Sequence, residues 1–140
     1  MKHNLILRVG SKLLIPLTLM FGLYVQFHGD FGPGGGFQAG VIFSAAIILY
    51  ALVFGLSAAE QIIPAGILRF LSGLGVLLYA GVGVASLFAG GNYLDYSVLG
   101  STPVAGQLLG ILLVELGVGI TVSSVMLIIF FAFAGRGREA

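Results

Sequence analysis

The sequence predicts an all-α integral membrane protein with four transmembrane helices, and two observations support this fold class. The chain of 140 residues is 59% hydrophobic and only 8% charged, whereas a soluble globular domain carries about 25% charged residues. Long windows without any charged side chain follow one another along the chain, and a spanning helix needs about 20 mostly apolar residues. We therefore expect a single membrane domain over residues 1–140.

The first predicted helix covers residues roughly 9–27. Lys2, Arg8 and Lys12 lie before or at the start of this apolar run, as the basic residues of a signal peptide would. No small-x-small cleavage site follows near residues 26–28, so we expect the helix to remain part of the protein.

A glycine-rich loop separates this helix from the second, which we expect over residues roughly 38–58. From residue 30 to residue 40 the chain reads Asp-Phe-Gly-Pro-Gly-Gly-Gly-Phe-Gln-Ala-Gly. Proline lacks the backbone N–H and glycine loses much backbone entropy, so this composition cannot continue a helix. Beside a membrane, its uncovered N–H and C=O groups must be buried in protein or line a wet cavity. The loop is therefore either a plain connector or the working part of the molecule.

Two further helices follow, over residues roughly 66–89 and 104–134. Turn signals precede and follow the third helix, namely Glu-Gln-Ile-Ile-Pro at residues 60–64 and Gly-Gly-Asn at residues 90–92. Proline and glycine at these places favour turns over a continued helix.

The six positively charged residues indicate how the helices are oriented. Three of them lie at the start of the first helix, Arg69 begins the third, and Arg136 and Arg138 follow the fourth. The loops at the opposite ends of the helices contain no Lys or Arg. The positive-inside rule then places both termini in the cytoplasm and the glycine-rich loop outside the cell membrane.

Composition also excludes several classes of function. Cysteine is absent, so the chain supplies no disulfide, no thiolate for an iron–sulfur cluster and no cysteine nucleophile. A net charge of +1 without a basic patch gives no reason to expect a nucleic-acid partner. His3 and His28 lie far apart, and we find no paired carboxylates, Ser/His/Asp set or P-loop. We expect neither a cofactor nor a metal, and no enzymatic activity.

Glu115 is the acidic residue inside the otherwise apolar window from Leu108 to Phe133. Placing a carboxylate in lipid is unfavourable in free energy. Intramembrane acids therefore usually face a cavity or a partner, and they mark ion or proton paths. Gly119 and Ser123 follow at intervals of four and share its helix face. That face is better suited to contact a chain of water molecules or a neighbouring helix than to contact lipid. An ion pair between Glu115 and a basic residue of another subunit is the alternative.

Asp30 and Gln38, at the two ends of the glycine-rich loop, are weaker candidates for an ion path. An acidic side chain at the entrance of a membrane pathway raises the local concentration of cations. The simpler interpretation is that Asp30 is a solvated loop residue. The amide oxygen of Gln38 could coordinate a cation or cap the second helix.

Small residues recur at the spacing that membrane helix contacts use. Three such series have members four residues apart: Gly32, Gly36 and Gly40; Gly81, Ala85 and Ala89; and Gly106 and Gly110. This spacing lets helices approach closely. With 23 glycines and hardly any extramembrane mass, the chain is expected to pack into a larger assembly.

Two motifs resemble one known family. The run Gly-Pro-Gly-Gly-Gly-Phe-Gln-Ala-Gly at residues 32–40 is similar to the signature of the B subunit of Mrp-type multisubunit cation/proton antiporters. The run Gly-Ser-Thr-Pro-Val-Ala-Gly-Gln at 100–107, leading into Leu-Val-Glu-Leu-Gly at 113–117, is also similar to that family. The length and the four-span layout fit the same family.

This resemblance implies a non-autonomous subunit of a complex that exchanges cytoplasmic Na⁺ for external H⁺. In that family the small subunits are proposed to help form the sodium path and to hold the complex together beside large antiporter-like subunits. It implies roles in packing or in the ion path for the following residues: Gly34, Gly35, Gly36, Phe37 and Glu115, with Gln38 and Asp30 as weaker additions. For Gly40, the spacing of the small residues predicts a role in helix packing.

Three alternative functions remain open at this point. The chain could be a purely structural scaffold, an autonomous small transporter that works as a homodimer, or the equivalent subunit of a membrane-bound hydrogenase-like respiratory complex. Water or polar partners around Glu115 would favour an ion path, whereas a dry ion pair would favour the scaffold. Transport by the purified chain alone would favour the autonomous transporter, and the neighbouring genes would identify the host complex.

Overall fold

The computed structural model describes residues 5–29 and 34–136 as a helical bundle. Within these residues the elements follow in the order α1 (Leu5–Phe27), α2 (Gly36–Phe54), α3 (Leu56–Ile62), α4 (Ala65–Phe88), a 3₁₀ turn (Tyr96–Val98) and α5 (Pro103–Gly135). The helices α1, α2, α4 and α5 are each long and apolar enough to cross a membrane. This confirms the predicted all-helical class and the four predicted spans.

The second predicted span is interrupted near its end. Helix α2 ends at Phe54, and Gly55 has a φ of 105°, a conformation that glycine adopts without the steric cost of a side chain. The short helix α3 then contains Glu60, which the sequence predicts as part of a turn. Pro64 directly precedes α4, where its missing N–H costs no helical hydrogen bond.

The starts of α2 and α5 also differ from the predicted positions. Helix α2 begins at Gly36 rather than at residue 38, so the last glycine of the motif and Phe37 belong to its first turn. Helix α5 begins with Pro103 in its first turn. The Thr102 hydroxyl caps it by accepting a hydrogen bond of 3.2 Å from the Ala105 N–H, which satisfies one of the free donors at a helix start.

Helix α5 is the central element of the bundle. It packs extensively against α4 and α2, whereas α1 packs mainly against α2 and makes few contacts with α5. With 33 residues, α5 is about 50 Å long, which exceeds the hydrocarbon core of about 30 Å. A buried apolar cluster lies at the end of the bundle where α2 stops: Ala51, Ala59, Leu68, Leu127 and Phe131.

The interior of the bundle is lined by small residues, and most large apolar side chains lie on its outer surface. Ser86 and Ser124 are buried, and each hydroxyl donates to a carbonyl of its own helix, that of Val82 at 3.1 Å and that of Ile120 at 2.7 Å. Small side chains between helices let backbones approach closely. The exposed apolar surface of the bundle suits lipid and neighbouring membrane helices.

Candidate functional site

The described part of the glycine-rich segment comprises Gly29, Gly34 and Gly35, and the backbone carbonyl of Val25 holds its two sides together. It accepts hydrogen bonds from the N–H groups of His28 at 3.3 Å and Gly35 at 3.1 Å. Because it belongs to the last turn of α1, this carbonyl has no helical partner of its own. The end of α1 and the start of α2 therefore lie side by side. The predicted site residue Asp30 lies outside the described residues.

Gly35 combines a special backbone conformation with a close approach to a carboxylate. Its φ of 119° and ψ of −178° place it in a region that is essentially restricted to glycine. A Cβ on Gly35 would lie 3.0 Å from Oε1 of Glu115. A side chain at this position would thus strain the backbone and crowd the Glu115 carboxylate.

The Glu115 carboxylate lies in a notch between Gly29, which follows α1, and Gly35, which precedes α2. A Cβ on Gly29 would lie 2.6 Å from Oε1 and 3.2 Å from Oε2 of Glu115. Glu115 is half-buried on α5, at the level where α1 ends and α2 begins. The tertiary structure therefore joins the two features that the sequence predicted separately, the acid and the glycine-rich segment.

Helices α2 and α5 contact each other through their backbones just beside this notch. A Cβ on Gly36 would overlap the carbonyl group of Glu115, and a Cβ on Gly40 would lie 2.7 Å from the carbonyl oxygen of Gly119. Two members of the first small-residue series thus lie at a helix contact. By contrast, a Cβ on Gly81 has no neighbour within 4 Å among the described residues, so that position does not pack inside the bundle.

Phe37 and Gln38 lie on the surface of α2. Phe37 is 64% exposed, and Gln38 is also exposed. On the helix, Gln38 is about 200° around the axis from Gly36, which is the residue that contacts Glu115. Of the predicted ion-path residues, the structure therefore places Glu115 at the glycine-rich segment and Gln38 on a different face.

Gln26 is a polar residue of this site to which no motif in the sequence points. It is only 4% exposed, and its Oε1 lies 2.8 Å from the position that a Cβ on Gly119 would take, one helical turn beyond Glu115. Its Nε2 has no hydrogen-bond partner among the described residues, which costs about 1–3 kcal/mol if the site is dry. The available signal was an amide side chain near the end of an apolar span.

A cavity of about 280 Å³ lies beside Gln26, between α1, α2 and α5. Its polar lining includes Gln26 and Ser123, and its apolar lining includes Leu23, Phe43 and Leu116. It is well above the size that a single water molecule requires. The face of α5 that carries Glu115, Gly119 and Ser123 thus runs from the glycine-rich segment along this cavity. Within residues 5–29 and 34–136, no three His, Asp or Glu side chains cluster as metal ligands.

The match to a family model decides the family. A model described as a domain related to the MnhB subunit of Na⁺/H⁺ antiporter matches residues 6–128. The chain belongs to the MnhB family. This MnhB-family chain is 35% identical over 143 residues to the proteins named antiporter subunit mnhB2 in Staphylococcus aureus strains Newman and JH1, with 99% of this chain and 100% of each relative covered.

Family membership confirms the resemblance that the two motifs predicted. The MnhB-family chain is the B subunit of a multisubunit Na⁺/H⁺ antiporter of the Mnh or Mrp type, and so a transport protein rather than an enzyme. It is a multi-pass protein of the cell membrane. As a subunit, it has other antiporter subunits as partners.

Proposed function

We propose that this subunit lines part of the path by which the antiporter exchanges cytoplasmic Na⁺ for external H⁺. The observation that carries the proposal is the position of the Glu115 carboxylate against Gly29 and Gly35. A carboxylate at a membrane boundary is stabilised by a wet or cationic environment. Backbone groups of an irregular segment can replace part of the hydration shell of a cation. Other subunits would supply the rest of the path, so this chain does not act alone.

In this proposal both termini lie in the cytoplasm and the glycine-rich segment faces outside. Four spans bring the start of α1, the start of α4 and the end of α5 to one side, and Arg8, Arg69 and Arg136 lie there. The Arg8 guanidinium lies 5.3 Å from the ring centroid of Phe54, at the end of α2, which agrees with that arrangement. The positive-inside rule then assigns this side to the cytoplasm.

Competition between Na⁺ and H⁺ for Glu115 would couple the two ions. The ionised carboxylate attracts Na⁺, and protonation removes that attraction, so one site serves each ion in turn. The cavity beside Gln26 continues along α5 for one helical turn beyond Glu115, and Gln26 and Ser123 are polar residues in its mainly apolar lining. The Ser123 hydroxyl, which also lines that cavity, offers a hydrogen-bond acceptor to water there.

A purely structural scaffold is the second candidate, and a specific observation favours it. Helix α5 makes close backbone contacts on two sides, with α2 at Gly36 and with α4, where a Cβ on Gly117 would lie 2.8 Å from the carbonyl oxygen of Gly75. Contacts of this kind stabilise helix association in membranes. In that case Glu115 would help to hold the assembly together and would not meet a transported ion.

The substitution Glu115→Gln in the assembled antiporter separates the two candidates, because it keeps the shape of the side chain and removes its charge. We expect assembly to persist and Na⁺/H⁺ exchange to fall about tenfold or more, equivalent to about 1.4 kcal/mol or more. Exchange is measured in inside-out vesicles with a pH-sensitive dye over a range of pH, and assembly by native gel electrophoresis. Glu60→Gln on α3 is the matched control. Unchanged exchange and pH dependence in assembled Glu115→Gln would leave only the scaffold.

The substitution Gly35→Val tests whether the glycine-rich segment is a plain connector. Valine at a φ of 119° is strained by about 1–3 kcal/mol and would press on Glu115. We expect the assembled complex or its exchange activity to be lost. Full assembly and full exchange in this variant would show that the segment only connects α1 to α2.

A further inference from the structure

A second pocket, of about 380 Å³, lies at the opposite end of the α1–α2 pair from Glu115. Its lining comprises Arg8, Lys12, Ile15 and Pro16 of α1 with Tyr50 and Phe54 of α2. We propose that this pocket binds the headgroup of an anionic phospholipid. The pocket plays no part in the ion path proposed above, and the inference does not depend on that path.

Two cations form the charged wall of the pocket. Arg8 and Lys12 are four residues apart on α1, so they lie one above the other on the same helix face. A guanidinium presents a planar fork of N–H donors that matches phosphate oxygens, and an ammonium adds a compact positive charge. Basic residues at a membrane-proximal helix end attract anionic lipids.

The aromatic side chains of α2 hold the guanidinium at the pocket. The Phe54 ring lies 5.3 Å from the Arg8 guanidinium carbon and 4.8 Å from the ring of Tyr50, centroid to centroid. A cation over a ring face leaves the N–H groups at its edge available to a ligand. Tyr50 also contributes a phenolic hydroxyl, which can donate to a phosphate oxygen.

The apolar part of the pocket favours a lipid over a free anion or a carboxylate of another subunit. Ile15 and Pro16 continue the lining along α1, and Leu19 follows Ile15 one helical turn further on the same helix face. A ligand that touches both walls therefore needs an anionic head and an apolar chain. A carboxylate would occupy only a small part of about 380 Å³.

The test uses the assembled antiporter with a photo-crosslinking amino acid at Ile15, so that only a ligand of this pocket is labelled. The purified, delipidated complex is illuminated with increasing phosphatidylglycerol, and adducts on this subunit are identified by mass spectrometry. We expect a phosphatidylglycerol adduct whose half-saturating lipid concentration rises about 30-fold in Arg8→Gln/Lys12→Gln, which is about 2 kcal/mol. The control Arg69→Gln should keep the wild-type value, and the charge-preserving Arg8→Lys/Lys12→Arg should raise it far less than 30-fold, because both charges remain while the guanidinium fork leaves Phe54.

Three results would overturn the proposal. Equal labelling by phosphatidylcholine, unchanged in Arg8→Gln/Lys12→Gln, would mean that the pocket does not recognise charge. Loss of the lipid adduct at millimolar inorganic phosphate would indicate a simple anion site. An adduct with a peptide of another subunit would show that a protein segment fills the pocket.

Discussion

Gly36 of α2 lies directly against the backbone of Glu115 of α5. A Cβ on Gly36 would overlap the Glu115 carbonyl oxygen and lie 2.8 Å from the carbonyl carbon. Glu115 thus presents its backbone to α2 and its carboxylate to Gly29 and Gly35. Helix packing and the position of the acid are therefore physically linked at one residue, and a change in the packing will also move the carboxylate.

The substitution Gly36→Ala should weaken the contact between α2 and α5. Overlap with the Glu115 carbonyl forces a backbone shift, and overpacking of this kind costs about 1–3 kcal/mol. The thermal stability of the assembled complex, followed by fluorescence-detected gel filtration after heating, measures the loss. Gly73→Ala is the control, because a Cβ there has no neighbour within 4 Å among the described residues. Equal stability of the two variants would contradict the close approach.

The substitution Gln26→Leu separates a hydrated cavity from a dry one, since leucine keeps the volume and removes the amide. If the amide serves water in the cavity, the variant should keep its thermal stability and lose Na⁺/H⁺ exchange in inside-out vesicles. Gln107→Leu, at an exposed position of α5, should change neither property. A variant that gains about 1–3 kcal/mol of stability with full exchange would show that the Gln26 amide is an unsatisfied group in a dry interior.

Two glycines of α4 form a matched pair for testing the contact with Tyr93. A Cβ on Gly83 would overlap the Tyr93 ring, whereas a Cβ on Gly81 has no neighbour within 4 Å in the described part of the chain. We expect Gly83→Ala to lower the melting temperature and Gly81→Ala to leave it unchanged or higher, because alanine favours a helix over glycine by about 1 kcal/mol. Adding Tyr93→Ala should remove most of the difference, as a double-mutant cycle would report. A purely additive cycle would argue against that contact.

The Asp95 carboxylate should make the segment between α4 and α5 sensitive to acid. Its hydrogen bonds with the Ser97 hydroxyl and with the Ser97 N–H lower the pKa of Asp95. A carboxyl whose pKa is lower in the folded state stabilises the fold above its unfolded pKa of about 3.9, and this contribution is lost as the pH falls through the folded pKa.

Thermal unfolding of the wild type and Asp95→Asn measures this effect. The advantage of the wild type should stay constant above about pH 5 and shrink as the pH falls below about 4. The wild type should also be more stable than Ser97→Ala, by a smaller margin than over Asp95→Asn. If the difference in thermal stability between wild type and Asp95→Asn did not depend on pH, the proposed role of the Asp95 carboxylate would be wrong.

Much of the candidate site could be predicted from the sequence, because some of its signals are local. Glu115 is visible as an acid in an apolar window, and Gly36 and Gly40 have the spacing of a helix contact. No local pattern of this kind identifies Gln26 as a residue of the site. Its importance arises only because α1 turns that side chain towards Gly119 of α5, and the rotation of a helix about its axis depends on what packs against it.

The sequence by itself determined the membrane class, the four spans and the MnhB family, because hydropathy and short motifs depend on residues that are close along the chain. Only the tertiary structure decided that α2 stops before Gly55, that Gln38 faces away from the acid, and that the Glu115 carboxylate lies against Gly29 and Gly35. These outcomes depend on how closely backbones far apart in sequence approach each other. Close approach depends on which residues of two helices face each other, and one segment read alone does not contain that information.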